Sequence, residues 1–341
     1  MAVDGGNSKT DVAIVDETGQ VLGTWRGPGA SFSPADHDRS IADLDRSVRQ
    51  AARAAGIGTR PVADVGVFCL AGADLPADDR RILRSLRGLG LVSDPLLRND
   101  TFAVMRAGAA RGWGVAVVCG AGFNCTGVGP DGRVVRFPAL GPISGDAAGG
   151  QEIGIAAIGA CIRAGDGRGP HTSLERAVPA FYGLRTPRQV MVGLHTGSLN
   201  EGRLYDLAPT VLGEANAGDD VAVAIVERQA DEAAVLVNTT LRRLRLRKSD
   251  ADVVLGGGVA RARSPVFMRR LAALVHACAP DARIAVVDDL PIVGAALLGL
   301  DRLAVSDGAD ARLRGVLVAS QFERNGGYPE EEPWRGSFSK T

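Results

Sequence analysis

Asp100 follows the apolar pair Leu96-Leu97 in the stretch Asn99-Asp100-Thr101, and further along 115–119 runs into Gly120-Ala121-Gly122 and on to Asn124. A carboxylate at the end of one strand can take a proton from a hydroxyl, and a glycine turn at the end of the next lets backbone N–H groups approach a phosphate. Side by side, the two describe phosphoryl transfer. Two further turns suit the same chemistry. Near the N-terminus, Asp4-Gly5-Gly6-Asn7-Ser8-Lys9-Thr10 offers adjacent glycines, with Ser8, Lys9 and Thr10 as donors to phosphate oxygens and Asp4 as an acid able to hold the hydration shell of Mg²⁺. Late in the chain, Val253-Val254-Leu255 ends in Gly256-Gly257-Gly258, where missing side chains admit a flat ligand or a phosphate. Each turn alone also reads as an ordinary tight turn, and Asp100 alone as part of a helix cap, with Asn99 or Asp100 accepting from the next turn.

These residues need a frame. With 341 residues, 45% hydrophobic, and a formal net charge of zero, the chain can bury a full core in two domains and lacks the basic excess of a nucleic-acid surface. Cys69, Cys119, Cys125, Cys161 and Cys278 form no C-x-x-C pair, so they read as reduced, mostly core residues rather than a disulfide frame or zinc site. The four histidines show no metal spacing. No run approaches the roughly 18 apolar residues of a membrane span, and the chain enters Ala2-Val3-Asp4 without a basic, apolar leader. The expectation is a cytoplasmic protein that handles small molecules, with neither nucleic acid nor membrane as partner.

The pattern around the first turn predicts strand, glycine turn, strand over 12–15, turn and strand over 21–23, an antiparallel meander. After a loop over 27–34 come a helix over 38–55, a strand over 65–70, a helix over 78–89 and a short strand over 96–98 that leads to Asp100. The second half repeats this grammar with strands over 115–119, 126–128 and 134–135, several helices, strands over 253–255 and 284–287, and a small-residue helix over 291–303 expected to pack back on the first domain. The predicted division is 1–118 plus 291–341 against 119–290. Glu330-Glu331-Glu332 reads as a loosely docked tail.

The order Gly5-Gly6, Asn99-Asp100, Gly120-Gly122, Gly141-Pro-Ile-Ser-Gly145-Asp146, Gly256-Gly258 resembles the sugar kinase, actin and heat-shock ATPase superfamily, and more narrowly its N-acetylglucosamine and glucosamine kinase branch, which also includes ATPases activating acyl-CoA reductases. The resemblance implies an α/β fold of two actin-like (ribonuclease H-like) domains with mixed five-stranded sheets flanked by helices. It also implies ATP and Mg²⁺ in the cleft between them, transfer of the γ-phosphate to a sugar 6-hydroxyl, and a homodimer. On that pattern Asp100 falls on the catalytic base and, with Asp4, beside the metal. Gly5, Gly6, Asn7, Ser8, Lys9 and Thr10 fall on the first phosphate loop, Gly120, Ala121, Gly122 and Asn124 on the second, and Gly256, Gly257 and Gly258 on the adenosine loop. Ser31, Gly72, Asp74, Asn99, Asp100, Gly141 and Asp146 form the sugar side.

The chain departs from the family where the sugar would be read. Gly145-Asp146-Ala147-Ala148 lacks the usual glutamate, and Ser31 and Ala71 stand where relatives taking N-acetylglucosamine tend to carry Asn and Ser. With the partners of an acetamide thinned and Asp74 and Asp146 available for an amine, the expected substrate is D-glucosamine, with N-acetylglucosamine as the alternative. A reductase-activating ATPase fits less well, since the cysteines lack the spacing of a cluster site.

Overall fold

The computed structural model describes residues 1–6, 9–30, 32–303, 305, 308–318 and 322, so Asn7, Ser8, Ser31 and the acidic tail lie outside the described residues. The first sheet has strand order β3-β2-β1-β4-β5, built from β1 (Ala2–Gly5), β2 (Lys9–Val15), β3 (Val21–Pro28), β4 (Ala63–Leu70) and β5 (Val92–Asn99). The second has order β10-β9-β6-β7-β8, built from β6 (Gly114–Cys119), β7 (Phe123–Val128), β8 (Val134–Arg136), β9 (Asp252–Gly256) and β10 (Arg283–Val286). Both sheets are one topology used twice. A three-stranded antiparallel meander is followed by two strands parallel to its first member.

The central strands are buried on both faces, which is why 115–119 and 253–255 read as unbroken apolar runs rather than alternating ones. In the first sheet α1 (His37–Ala54) and α2 (Pro76–Leu89) make the crossovers. The helix α3 (Asp100–Gly108) then carries the chain to the second sheet. There α4 (Gly150–Gly165), α5 (Leu174–Phe181), α6 (Pro187–His195), α7 (Ala208–Asn216) and α8 (Asp220–Arg243) join β8 to β9, and α9 (Gly258–Arg261) and α10 (Pro265–Cys278) join β9 to β10. Two short helices close the described chain, α11 (Pro291–Leu303) and α12 (Ala309–Val316).

The helices α3 and α11 join the two halves. Val293, Ala296 and Leu297 of α11 share a core with Ala2, Val67 and Cys69 of the first sheet. Val104, Met105 and Ala107 of α3 pack with Ala116, Val254 and Val287 of the second. The two helices meet at Gly294, where a Cβ would overlap the Ala103 carbonyl, so a larger residue would force them apart.

Most predicted elements are present, with longer ends. β3 continues to Pro28, because Gly27 lets the strand lie against Ser47 of α1, and a Cβ there would strike that hydroxyl. β5 begins at Val92 rather than at residue 96. The predicted pattern omits α7 and α12, short helices whose ends carry no strong local signal. Among the described residues no helix is long and apolar enough to cross a membrane.

Candidate active site

Parallel pairing aligns the carboxyl ends of the strands, the edge where α/β sheets bind ligands. In the first sheet Gly5, Leu70 and Asn99 stand in one register row, so Asp4, the loop carrying Gly72 and Asp74, and Asp100 leave the same edge. In the second sheet Val118 pairs with Gly256, which brings the turns at 120–122 and 256–258 to a common edge.

At the first turn the two glycines have different reasons. A Cβ on Gly5 would meet Leu70 Cδ2 at 2.7 Å, so packing requires glycine there, while Gly6 has only the Lys9 carbonyl within reach at 3.7 Å. Asp4 is 8% exposed, and burial pushes its carboxyl up to about 7; Lys9 and Arg261 pull it down, Asp11 and Asp100 push it up. Lys9, expected to face phosphate oxygens, instead has its ammonium on the buried Asp11, with Asp4 at 3.9 Å. Asp11 also takes a two-pronged grip from Arg26 at 2.6 and 3.0 Å. The Thr10 hydroxyl, expected as a second donor, is buried under the turn without a hydrogen-bond partner.

At the end of β5 the cap is Asn99, one of the two candidates. Asn99 Oδ1 accepts from the Thr101 backbone N–H at 3.1 Å and the Thr101 hydroxyl at 2.6 Å, which leaves Asp100 as the first residue of α3. The same oxygen accepts from Asn124 Nδ2 of β7 at 3.2 Å, and Asn99 Nδ2 donates to Asp74 Oδ1 at 2.9 Å. With three donors on its oxygen and one acceptor on its nitrogen, Asn99, 1% exposed, fixes its own amide orientation. Thr101 Oγ1 also touches Thr126 Oγ1 at 2.5 Å. Burial and the nearby Asp74 charge hold the Asp100 carboxyl up at about 6, against the pull of the Thr101 N–H. Asp74 is likewise pushed by burial to about 7, with Arg136 drawing it down and Asp78 and Asp79 pushing it up.

The second edge is a stack of glycines. The Gly120 N–H closes the turn on the Gly122 carbonyl at 3.0 Å, and the Gly150 and Gln151 N–H groups at the start of α4 donate to the Gly120 and Ala121 carbonyls at 2.8 and 3.0 Å. Gly257 has φ of 86°, and a Cβ on it would strike the Cys119 carbonyl and come within 2.8 Å of the Gly120 nitrogen. Gly256 lies against Val104 of α3, where a Cβ would sit 2.8 Å from Cγ1. Gly120, Gly122 and Gly258 differ from these: a Cβ on any of them meets nothing within 4 Å, so backbone there faces open space. That open strip of backbone leaves room that a polyphosphate could enter.

In the loop expected to face the sugar, Gly72 has φ of 82°, and a Cβ on it would come within 3.2 Å of the Phe32 nitrogen. Among the described residues no hydrogen bond links Gly141 or Asp146 to Asp100. Asp146 Oδ2 closes its own loop, accepting from the Gly141 N–H at 3.0 Å and the Ser144 hydroxyl at 2.5 Å. The motif reading omits four contributors: Thr101, Gly149-Gly150, Arg261 beside Asp4, and Arg136, which spans from β8 to the Asp74 loop. Of these only the Gly149-Gly150 pair carries a visible local signal. Two surface hollows of about 490 and 440 Å³ line α7, α8 and α10 and share no residue with this cleft.

Two sheets of one topology, with carboxylates leaving one edge and glycine turns leaving the other, define a two-lobed actin-like ATPase fold. Comparison with protein families matches residues 2–299 to the BadF/BadG/BcrA/BcrD ATPase family, and the chain belongs to that family. Among characterised relatives, an N-acetylmuramic acid/N-acetylglucosamine kinase of Clostridium acetobutylicum is 26% identical over 76% of this chain and 84% of the relative. An N-acetyl-D-glucosamine kinase of Dictyostelium discoideum is 24% identical over 88% of this chain and 97% of the relative. Among solved structures, a provisionally named N-acetylglucosamine kinase from Chromobacterium violaceum superposes with a TM-score of 0.68 at 24% identity, covering 87% of this chain and 97% of that one.

Proposed function

We propose that the protein is an ATP-dependent amino-sugar kinase that phosphorylates the 6-hydroxyl of N-acetylglucosamine. The observation that carries the reading is the 3.2 Å bond from Asn124 Nδ2 to Asn99 Oδ1, which holds the hairpin after the Gly120–Gly122 turn against the cap that precedes Asp100. An acid that can act as base and a turn that can hold a phosphate thereby face one cleft. The names of the two relatives support N-acetylglucosamine over the glucosamine expected from the sequence. Glucosamine stays as a second reading on one feature, the Asp74 carboxylate, which would suit an ammonium.

In this reading residues 1–118 plus 291–341 form one lobe and 119–290 the other. The donor set fits both ATP and its metal. Backbone at Gly120 and Gly122 faces open space and would admit phosphate oxygens, and Gly258 leaves room for the nucleoside. Thr10 Oγ1, buried and unpartnered, would gain a partner in a bound oxygen or water. Mg²⁺ keeps several of its waters and binds through one or two carboxylates and the phosphates. Asp4 and Asp100 would hold that hydration shell. Bound Mg²⁺ would neutralise charge on the transferring phosphoryl group.

Asp100 does the proton chemistry. Its carboxyl, held at about 6 by burial, is ionised at neutral pH yet basic enough to accept the 6-hydroxyl proton as the oxygen attacks. Asn99 and the start of α3 keep it from turning away. Asp74, tied to Asn99, would meet a sugar hydroxyl from the side, with Gly72, Asn99, Gly141 and Asp146 completing the pocket together with Ser31. A coupled assay of ADP release over N-acetylglucosamine, glucosamine and glucose tests the reading; a preference for glucosamine would select the second one, and no sugar-dependent turnover would remove both.

A further inference from the structure

We infer that Arg136 is a positioning residue that clasps the two lobes together and fixes the Asp74 loop for sugar binding. The inference takes its substrate from the sugar-kinase reading, while its geometry stands apart from it. Arg136 is the last residue of β8, the edge strand of the second sheet, yet its side chain is bound wholly to the first lobe. One guanidinium nitrogen donates to Asp79 Oδ2 at 3.0 Å, and the other donates to the carbonyl of Ala73. Ala73 is the residue before Asp74, whose own carboxylate is held by Asn99 at 2.9 Å. The loop is thus pinned at both ends of a single residue, by backbone on one side and by side chain on the other.

Register makes the clasp two-pointed. Arg136 pairs with Thr126 across the β7–β8 ladder, so the two side chains leave the same face of the sheet. Thr126 Oγ1 reaches Thr101 Oγ1 of α3 at 2.5 Å. One cross-strand pair therefore touches the first lobe at both the Asp100 helix and the Asp74 loop. Arg136 also stands at the root of the 137–149 loop, which carries Gly141 and Asp146, so holding Arg136 to Ala73 holds the two predicted sugar segments at a fixed separation. The guanidinium is suited to this, since its planar fork serves a carboxylate and a carbonyl at once, which an ammonium cannot match in geometry.

The test compares wild type with Arg136→Ala and Arg136→Lys in two measurements. In steady-state kinetics, both variants raise KM for the amino sugar by about tenfold, while KM for ATP and kcat move by less than about threefold. An unchanged sugar KM, or equal rises for sugar and ATP, overturns the assignment, because general loosening of the fold would weaken both substrates. In hydrogen exchange, both variants lose protection over 72–79 and 137–146 and keep it in β6 and β9. Unchanged protection in those two loops also overturns it. If wild type turns over no amino sugar, the kinase reading fails, and hydrogen exchange alone decides the clasp.

Discussion

Asn124 Nδ2 lies 3.2 Å from Asn99 Oδ1, so a side chain of the second lobe shares one amide oxygen with the cap of the helix that Asp100 begins. Asn99 is the hub of this seam, because four groups on three chain segments depend on its side chain.

Removing that hub has a stability cost. Asn99→Ala leaves the Thr101 N–H and hydroxyl, Asn124 and Asp74 short of a buried partner, and each buried polar group without one costs about 1–3 kcal/mol. Since water recovers part of the loss, the expected destabilisation is on the order of 3 kcal/mol, with turnover reduced as Asp100 loses its cap. Urea unfolding measures the first effect and an ADP-release assay the second. A variant as stable as wild type would show that the hub is dispensable.

Asp100→Asn keeps the shape of the side chain and removes the carboxylate proposed as base. Turnover should fall by about a hundredfold or more with the fold intact. Wild-type kcat/KM should also rise with pH and level off above about 6, the value to which burial raises this carboxyl. The residual activity of the variant should lack that rising limb. A limb that survives the substitution belongs to another group, of which Asp4 is the nearest in kind.

The same substitution should stabilise the fold, and more so at higher pH. Burial raises the Asp100 carboxyl from 3.8 to about 6, so between those values the native chain still binds a proton that the unfolded chain has lost. Stability attributable to this group therefore falls as pH rises through that window, the opposite of a salt-bridged carboxylate. The melting-temperature difference between Asp100→Asn and wild type should be near zero at about pH 4 and reach on the order of 2 °C by about pH 7. A difference that shrinks with pH would reverse the assigned direction.

Neighbouring glycines should separate structural from ligand-facing roles. Gly257→Ala puts a Cβ into the Cys119 carbonyl at a left-handed φ of 86°, so it should lower stability by about 2 kcal/mol or more. Gly258→Ala meets nothing within 4 Å and starts α9, so stability should be unchanged or slightly higher while KM for ATP rises. Thermal melts and ATP titrations of the two variants distinguish them. Equal melting temperatures would contradict the division.

The repeated topology and the glycine turns were legible in the sequence because buried parallel strands are continuous apolar runs that end abruptly at glycine. The helix start at Asn99-Asp100 was legible too, and of the two capping candidates Asn99 takes the role. The pairing of Lys9 was not legible, since Asp11 sits two residues on in an apolar strand and nothing local announces that Arg26 and Lys9 both close on it. Arg136 could not be found from its neighbours in sequence, because its partners are Ala73 and Asp79 on another lobe. Sugar identity is hidden for the same reason. The segments around 72, 100 and 146, proposed to meet the substrate, are far apart in the chain, and loops of this kind carry no period that a sequence pattern can expose.

The central claim is phosphoryl transfer to an amino sugar, and the most direct measurement is mass detection of the sugar product after incubation of the protein with ATP, Mg²⁺ and N-acetylglucosamine, alongside glucosamine and glucose. The account predicts an ATP-dependent N-acetylglucosamine 6-phosphate that is formed in preference to the other products and is lost in Asp100→Asn. ATP hydrolysis with no phosphorylated sugar from any of the three would contradict it.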